Sequence, residues 1–251
     1  MPDQLSITAI EGLPEIAAGD DLGQMIVHAA ASQGTSLKNG DVLVVAQKVV
    51  SKAEGRVLKL EDVEPSPFAR QIGLLNDRDP RLIETILKES RRIVRMDKGV
   101  LITETHHGFV CANSGVDASN LPGDGTVCLL PEHPDESAQR IRARVRELAA
   151  AEVAVIVTDT FGRPWREGTT EVAIGVAGMS ALQDYRGTTD AHGHLLRVTV
   201  IAIADELASA ADLARKKTSG VPAVIVRGFQ YETGDEGAGP LIRGPGTDIF
   251  R

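Results

Sequence analysis

Apolar and polar positions along this chain fall into blocks, with short apolar runs alternating with stretches of helical period. Runs rich in Val, Ile and Leu at 7–10, 42–45, 100–104, 109–112, 153–157 and 222–226 predict strands. The run at 42–45 has no polar interruption, which predicts a strand covered on both faces. Weak alternation predicts another strand over 197–204. The 3.6-residue period predicts a helix from Asp20-Asp21 to about Ser32 and one over 80–95, with Asp79 capping before Pro80. Two more are predicted, from Pro134 to near Ala151 and over 205–217. Gly12-Leu13-Pro14, Asn39-Gly40 and Leu121-Pro122-Gly123-Asp124-Gly125 are turn signals, and His106-His107-Gly108 reads as a hairpin tip. The stretch 47–56 is polar and predicts a loop, and the Gly-rich tail after Gln230 predicts loose order. The pattern is mixed α/β, without repeats. Residues 1–251 read as a single domain, long enough for two subdomains but with no composition break to divide them.

Composition narrows the function. Aromatics are only 3% of the 251 residues, so the core must be aliphatic and base-stacking platforms have little raw material. A net charge of -8 also argues against a nucleic-acid binder. Cys111 and Cys128 form no disulfide framework, and Cys111 sits in a strand pattern as a small buried hydrophobe. The N-terminus lacks the pattern of a signal peptide and no apolar run is long enough to span a bilayer, so a cytoplasmic enzyme is expected.

Two polar tracts carry candidate chemistry, Asn113-Ser114-Gly115-Val116-Asp117-Ala118-Ser119-Asn120 and Thr158-Asp159-Thr160-Phe161-Gly162-Arg163. Each follows a predicted strand, and each sets an aspartate among hydroxyl and amide groups. Such oxygen-rich niches suit hard cations that bridge to phosphates, so Asp117, Asp159 and Thr160 are candidate metal ligands. The plain alternative is that both aspartates cap turns. Lys52 offers a point charge for a phosphate, or a solvated loop lysine. Arg163 and Arg166 stand near the second tract, either to neutralise an anion or to pair with Glu167 or Glu171. Trp165 is expected to pack, or to cover a flat ring. His106, His107, His192 and His194 lack a third ligand at zinc spacing and read as loop residues. Arg140, Arg142, Arg144 and Arg146 read as a solvated helix face. No G-x-x-x-x-G-K-S/T and no G-x-G-x-x-G occur in the required contexts, which excludes a P-loop and disfavours a Rossmann fold. Nothing resembles an activated Ser or Cys nucleophile.

Taken in order, several segments resemble the coenzyme F420-0:L-glutamate ligase family, the F420 gamma-glutamyl ligases. They are Glu11-Gly12-Leu13-Pro14, Gly19-Asp20-Asp21-Leu22, Gly40-Asp41-Val42-Leu43-Val44-Val45 and Val50-Ser51-Lys52-Ala53-Glu54-Gly55-Arg56. The series continues with Gly115-Val116-Asp117-Ala118-Ser119-Asn120, Thr158-Asp159-Thr160-Phe161-Gly162-Arg163 and Val221-Pro222-Ala223-Val224-Ile225-Val226-Arg227-Gly228. The resemblance covers nearly the whole chain and implies an unusual two-part α/β fold. It also implies GTP-dependent ligation of L-glutamate to the lactyl carboxylate of F420-0, with Mg²⁺ or Mn²⁺, K⁺ and a homodimer. By position it makes Asp117, Asp159 and Thr160 the metal ligands, with Asp117, Asp159 and Lys52 as the catalytic group. Its GTP contacts fall on Leu13, Pro14, Glu15 and Ile16, on Gln47, Lys48 and Lys52, on Asn120, and on the stretch Ala214, Arg215, Lys216, Lys217, Thr218, Ser219, Gly220 and Val221. Two segments depart from the family pattern. Gln47-Lys48 replaces a small hydroxyl pair. Arg215-Lys216-Lys217 replaces a stretch where a further metal ligand would fall, a role that protonated lysine cannot fill. The flavin-reductase-like domain that follows in many bacterial relatives is not expected here. From the residues alone, a metal phosphohydrolase and a non-catalytic phospho-ligand binder stay open as rivals.

Overall fold

The structure, a computed structural model, describes residues 4–118, 123–215, 220–244 and 246–249. In chain order the elements begin with β1 (Ser6–Ile10), α1 (Leu22–Ser32), β2 (Val42–Ala46), α2 (Gln47–Ala53) and β3 (Val57–Lys59). Next come α3 (Pro67–Asn76), α4 (Pro80–Lys88), β4 (Ser90–Asp97), β5 (Val100–Thr105), β6 (Val110–Ala112) and β7 (Thr126–Cys128). Then follow α5 (Pro134–Ala149), β8 (Ala154–Arg163), β9 (Arg166–Ala177), β10 (Gln183–Asp184), β11 (Val200–Ile201), α6 (Ile203–Arg215) and β12 (Ala223–Arg227). The fold is mixed α/β and is not a closed barrel. No described helix is long and apolar enough to cross a membrane.

A five-stranded sheet in the order β1-β12-β2-β8-β9 organises the molecule. Only β2 and β8 run parallel; the other neighbours are antiparallel, which separates this sheet from a doubly wound one. Leu43, Val45, Val155 and Val157 face a core closed by α1 and α5. Val42, Val44, Ala154 and Ile156 face a second core closed by α6. Burial on both faces is why these strands carry uninterrupted aliphatic runs. A third core lies outside the sheet, where Ile72, Ile83, Ile86, Leu101, Val127 and Leu129 pack within 57–129. There α3 and α4 approach so closely at Gly73 that a Cβ would stand 2.7 Å from the Arg78 carbonyl oxygen.

Several sequence expectations are corrected. The predicted helix over 80–95 ends at Lys88, and Ser90–Asp97 pairs with β5 as a strand. Cross-strand pairing there overrides helical period. Helix α3 was unpredicted although Ser66-Pro67 supplies its cap, the Ser66 hydroxyl accepting from the Ala69 N–H at 3.2 Å. The polar stretch after β2 is the helix α2, so Lys52 sits in a last helical turn. The strand expected over 197–204 is reduced to β11, because α6 already begins at Ile203. The tail is fastened: Asp135 Oδ1 accepts from the N–H groups of Val176 (2.8 Å) and Ala238 (2.9 Å), and Ala238 is buried. The arginines of α5 do more than face water, since Arg144 reaches Asp21 at 2.6 Å and Arg142 donates to the Val153 carbonyl at 2.9 Å. Both cysteines are free and buried.

Candidate functional site

Where β2 ends, the chain turns at once into α2, while β8 runs five residues past its last pairing with β2 at Thr158. Beyond that point only β9 accompanies it, and the two form an arm. The sheet is therefore open at the carboxyl ends of its one parallel pair, the general place for a ligand in α/β sheets. A cavity of about 380 Å³ occupies the notch, large enough for a small-molecule ligand. The second polar tract accordingly lies within a strand and not in a loop after one. Pairing with β9 continues because Thr160 and Phe161 stand opposite Glu171 and Thr170.

The two aspartates enter this cavity from different constructions. Asp117 follows a tight turn in which Asn113 and Ser114 are left-handed, both at φ 54°. The Ser114 hydroxyl holds the turn through Thr103 Oγ1 (2.7 Å) and Ser90 Oγ (2.6 Å). Backbone bonds to Cys128 then fix Asp117 itself, and Lys48 Nζ lies 2.8 Å from its Oδ2. Asp159 projects from β8 and is partly buried. Burial pushes its carboxyl up to about 7, with the charges of Glu171 and Asp117 adding to the rise; the Thr160 N–H and Lys48 oppose it. The four ionic side chains Asp117, Asp159, Glu171 and Lys48 thus share one electrostatic neighbourhood. Burial also pushes the nearby Cys111 thiol up to about 12, with Asp159 adding to the effect.

Around the aspartates stand Leu13, Pro14, Glu15, Ile16, Gln47, Lys48, Lys52, Thr160, Arg215, Gly220 and Val221, all lining the cavity. Lys52 Nζ is 2.5 Å from Glu15 Oε1. Gln47 is buried, and its amide donates to Ser51 Oγ (2.8 Å) and the Leu129 carbonyl (3.0 Å), so it braces the wall. Thr160 donates its hydroxyl proton to Glu171 Oε1 at 2.5 Å. Arg215 Nη2 donates to Glu171 Oε2 (2.8 Å) and to Thr158 Oγ1 (3.0 Å), so this buried arginine already serves a protein carboxylate. Ala214 packs against the core beneath α6 and is outside the lining. Asn120, Lys216, Lys217, Thr218 and Ser219 lie outside the described residues.

Other candidates stand away from the cavity. Arg163 and Arg166 flank the tip of the β8–β9 arm, where Trp165 is 83% exposed, against the expectation that it packs. The ring of His107 meets the carbonyls of Pro131 and Glu132, and His106 meets that of Lys88. His192 and His194 belong to an exposed loop that Asp190 organises. Glu171 and Asp212 are lining residues that sequence reasoning missed as site residues. The available signal was an acid abutting the apolar run 172–174, but β9 itself was not foreseen.

Among the described lining residues, Glu15, Asp117, Asp159, Glu171 and Asp212 are acidic, and the basic Lys48, Lys52 and Arg215 are paired with Asp117, Glu15 and Glu171. Among the described residues no three His, Cys, Asp or Glu side chains are grouped to hold a metal ion alone. Two carboxylates and a hydroxyl instead suit a hard cation that completes its shell with water and substrate oxygens, as Mg²⁺ commonly does. The donor chemistry fits.

A split α/β sheet with an acidic, oxygen-lined cavity at its parallel strand ends thus defines the class. The chain belongs to the F420-0:Gamma-glutamyl ligase family, whose model matches residues 12–228. It is 45% identical to the coenzyme F420:L-glutamate ligase of Methanothermobacter thermautotrophicus, the match covering 98% of this chain and 99% of that protein. It is 47% identical to the protein of the same name from Methanopyrus kandleri (96% and 97% covered). The Archaeoglobus fulgidus protein of that name is 38% identical (99% and 97% covered).

Proposed function

We propose that this protein is a GTP-dependent ligase that joins L-glutamate to the lactyl carboxylate of coenzyme F420-0 through an acyl phosphate, and adds further glutamates through γ-linkages. Family membership and the names of the relatives support ligation of glutamate to the coenzyme. One observation supports the finer mechanism: Asp117, Asp159 and Thr160 meet Lys48 and Lys52 in one cavity. K⁺ and a homodimer belong to the same reading and follow from the family resemblance; a cytoplasmic location is part of the same proposal.

A carboxylate is a poor electrophile and must be activated before an amine can attack it. Transfer of a phosphoryl group supplies that activation, and its catalysis is mainly positioning and charge stabilisation. Asp117, Asp159 and Thr160 would hold Mg²⁺ or Mn²⁺, which neutralises phosphate charge. Lys52 sits on a short helix braced by Gln47, so its ammonium is placed without a flexible loop. Lys48 is shared between Asp117 and the cavity and balances charge on either side. Glu15, held by Lys52, fixes the opposite wall.

The test is incubation with GTP, Mn²⁺, L-glutamate and the unglutamylated coenzyme, read by mass and by phosphate release. A mass gain of glutamate residues, with phosphate released only when acceptor and amino acid are both present, is the expected result. Phosphate release without either would make the protein a hydrolase. Binding without release would make it a nucleotide-binding module.

A further inference from the structure

Thr160 and Glu171 are direct cross-strand partners on β8 and β9. A threonine hydroxyl has one proton and two lone pairs, and it can serve a cation only through the lone pairs. Its single proton must then go elsewhere. Here it goes to Glu171 Oε1, at 2.5 Å. The other oxygen, Oε2, is fixed by Arg215 Nη2 at 2.8 Å, and both side chains of that pair are about 7% exposed. The main chain of Glu171 is held as well, since its carbonyl accepts from the Ser209 hydroxyl at 2.9 Å. The carboxylate therefore cannot easily turn away from Thr160, and an acceptor-only group leaves Thr160 no choice but to donate.

We infer that Glu171, clamped by Arg215, is a positioning residue that takes the Thr160 proton and so presents the hydroxyl lone pairs to a divalent cation in the cavity. The inference rests on the metal reading above and extends it to a lining residue that acts through Thr160. Groups that orient a metal ligand in this way typically change metal affinity by roughly 10–100-fold when replaced. Glutamine at 171 has the same shape but one donor and one acceptor end. Arg215 claims the acceptor end, which leaves the amide N–H₂ facing Thr160 and forces its proton toward the cation.

The test is Mn²⁺ titration of the metal-free protein, read by the free-ion electron paramagnetic resonance signal, with thermal melting in metal-free buffer alongside. Glu171→Gln and Thr160→Val should each weaken Mn²⁺ binding by roughly 10-fold or more. Thr160→Ser, which keeps the hydroxyl, should bind as the wild type does, and the double variant E171Q/T160V should be no weaker than T160V alone. Should E171Q not fold, Glu171→Asp keeps the charge for Arg215 but withdraws the oxygen, and it too should lose affinity. Wild-type affinity in E171Q or E171D, or losses that add in the double variant, would overturn the inference. Asp159→Asn separates the two levels. If D159N loses Mn²⁺ while the Glu171 variants do not, the inference alone falls. If the wild type binds no Mn²⁺, or D159N binds it unchanged, the metal reading falls and takes the inference with it.

Discussion

Asp117 and Asp159 face the same cavity but belong to differently built regions. Asp117 hangs from an irregular turn next to the third core, in the part of the chain that supplies no strand to the central sheet. It is half exposed and has an ammonium partner. Asp159 projects from a strand of that sheet, one residue past a bulge in its pairing, and burial pushes it up to about 7. The folded protein thus provides for the charge of Asp117 and resists the charge of Asp159. A divalent cation would relieve more at the second aspartate than at the first. Left-handed residues and a glycine turn position one oxygen, and β-pairing just past a bulge at Val157/Thr158 positions the other.

The largest expected effects break the pair itself. Asp117→Asn and Asp159→Asn should each lower metal-dependent turnover by at least about 10²-fold, as loss of a charge-stabilising contact does. They should part company in stability. The folded-state pKa of Asp159 is raised above the unfolded value of about 3.9, so ionising it costs stability as pH climbs from there through 7. Metal-free D159N should therefore melt no lower than wild type at pH 8, and the difference should vanish below about pH 4. D117N, which leaves Lys48 with a neutral partner, should not gain. A D159N protein that melts well below wild type at pH 8 would erase the contrast.

A smaller effect probes the turn. Gly115 has φ +71°, and an added Cβ would come within 2.7–2.9 Å of the Leu130 side chain, whereas Gly125 has φ +75° with nothing within 4 Å. Gly125→Ala should cost about 1 kcal/mol for its left-handed backbone alone. Gly115→Ala adds the overlap and should cost about 2–4 kcal/mol in urea unfolding, lowering turnover as Asp117 shifts. Equal costs at the two glycines would mean that Leu130 gives way freely.

The smallest effect lies outside the cavity. Burial lowers the pKa of His107, although its bonds to the Glu132 and Pro131 carbonyls work the other way. Its contribution to stability is complete above the unfolded value of about 6.5 and is lost as pH falls through the lower folded value. His107→Gln should flatten that part of the stability curve. Since His107 stacks on Phe109, and Phe109 meets Phe161 on β8, activity at neutral pH in the same variant measures whether the ladder steadies the strand that carries Asp159.

Much of the scaffold was legible in the sequence because burial on both faces writes itself as an aliphatic run. The strands at 42–45, 153–157 and 222–226 are such runs, and the cap at Asp79 is local chemistry, while Asp21, read only as an acid favourable to the start of α1, is its N-cap. What misled was polarity without local context. The stretch 47–53 looked like a loop because its polar residues line a wall, and 158–163 looked like a turn because its open edge is the cavity. Strand β9 escaped notice because its first half is polar and its second half buried, which gives no single period.

The sequence by itself determined the mixed α/β class, the aliphatic core and the two aspartate tracts that carry the family resemblance, because propensity and burial act through neighbours along the chain. Tertiary structure alone decided that the tracts share one cavity, that Lys48 faces Asp117, and that Glu171 takes the Thr160 proton while Arg215 holds it. Those relations join residues 11 to 69 positions apart, and which side chains meet across such distances depends on strand order and register, which no local pattern encodes.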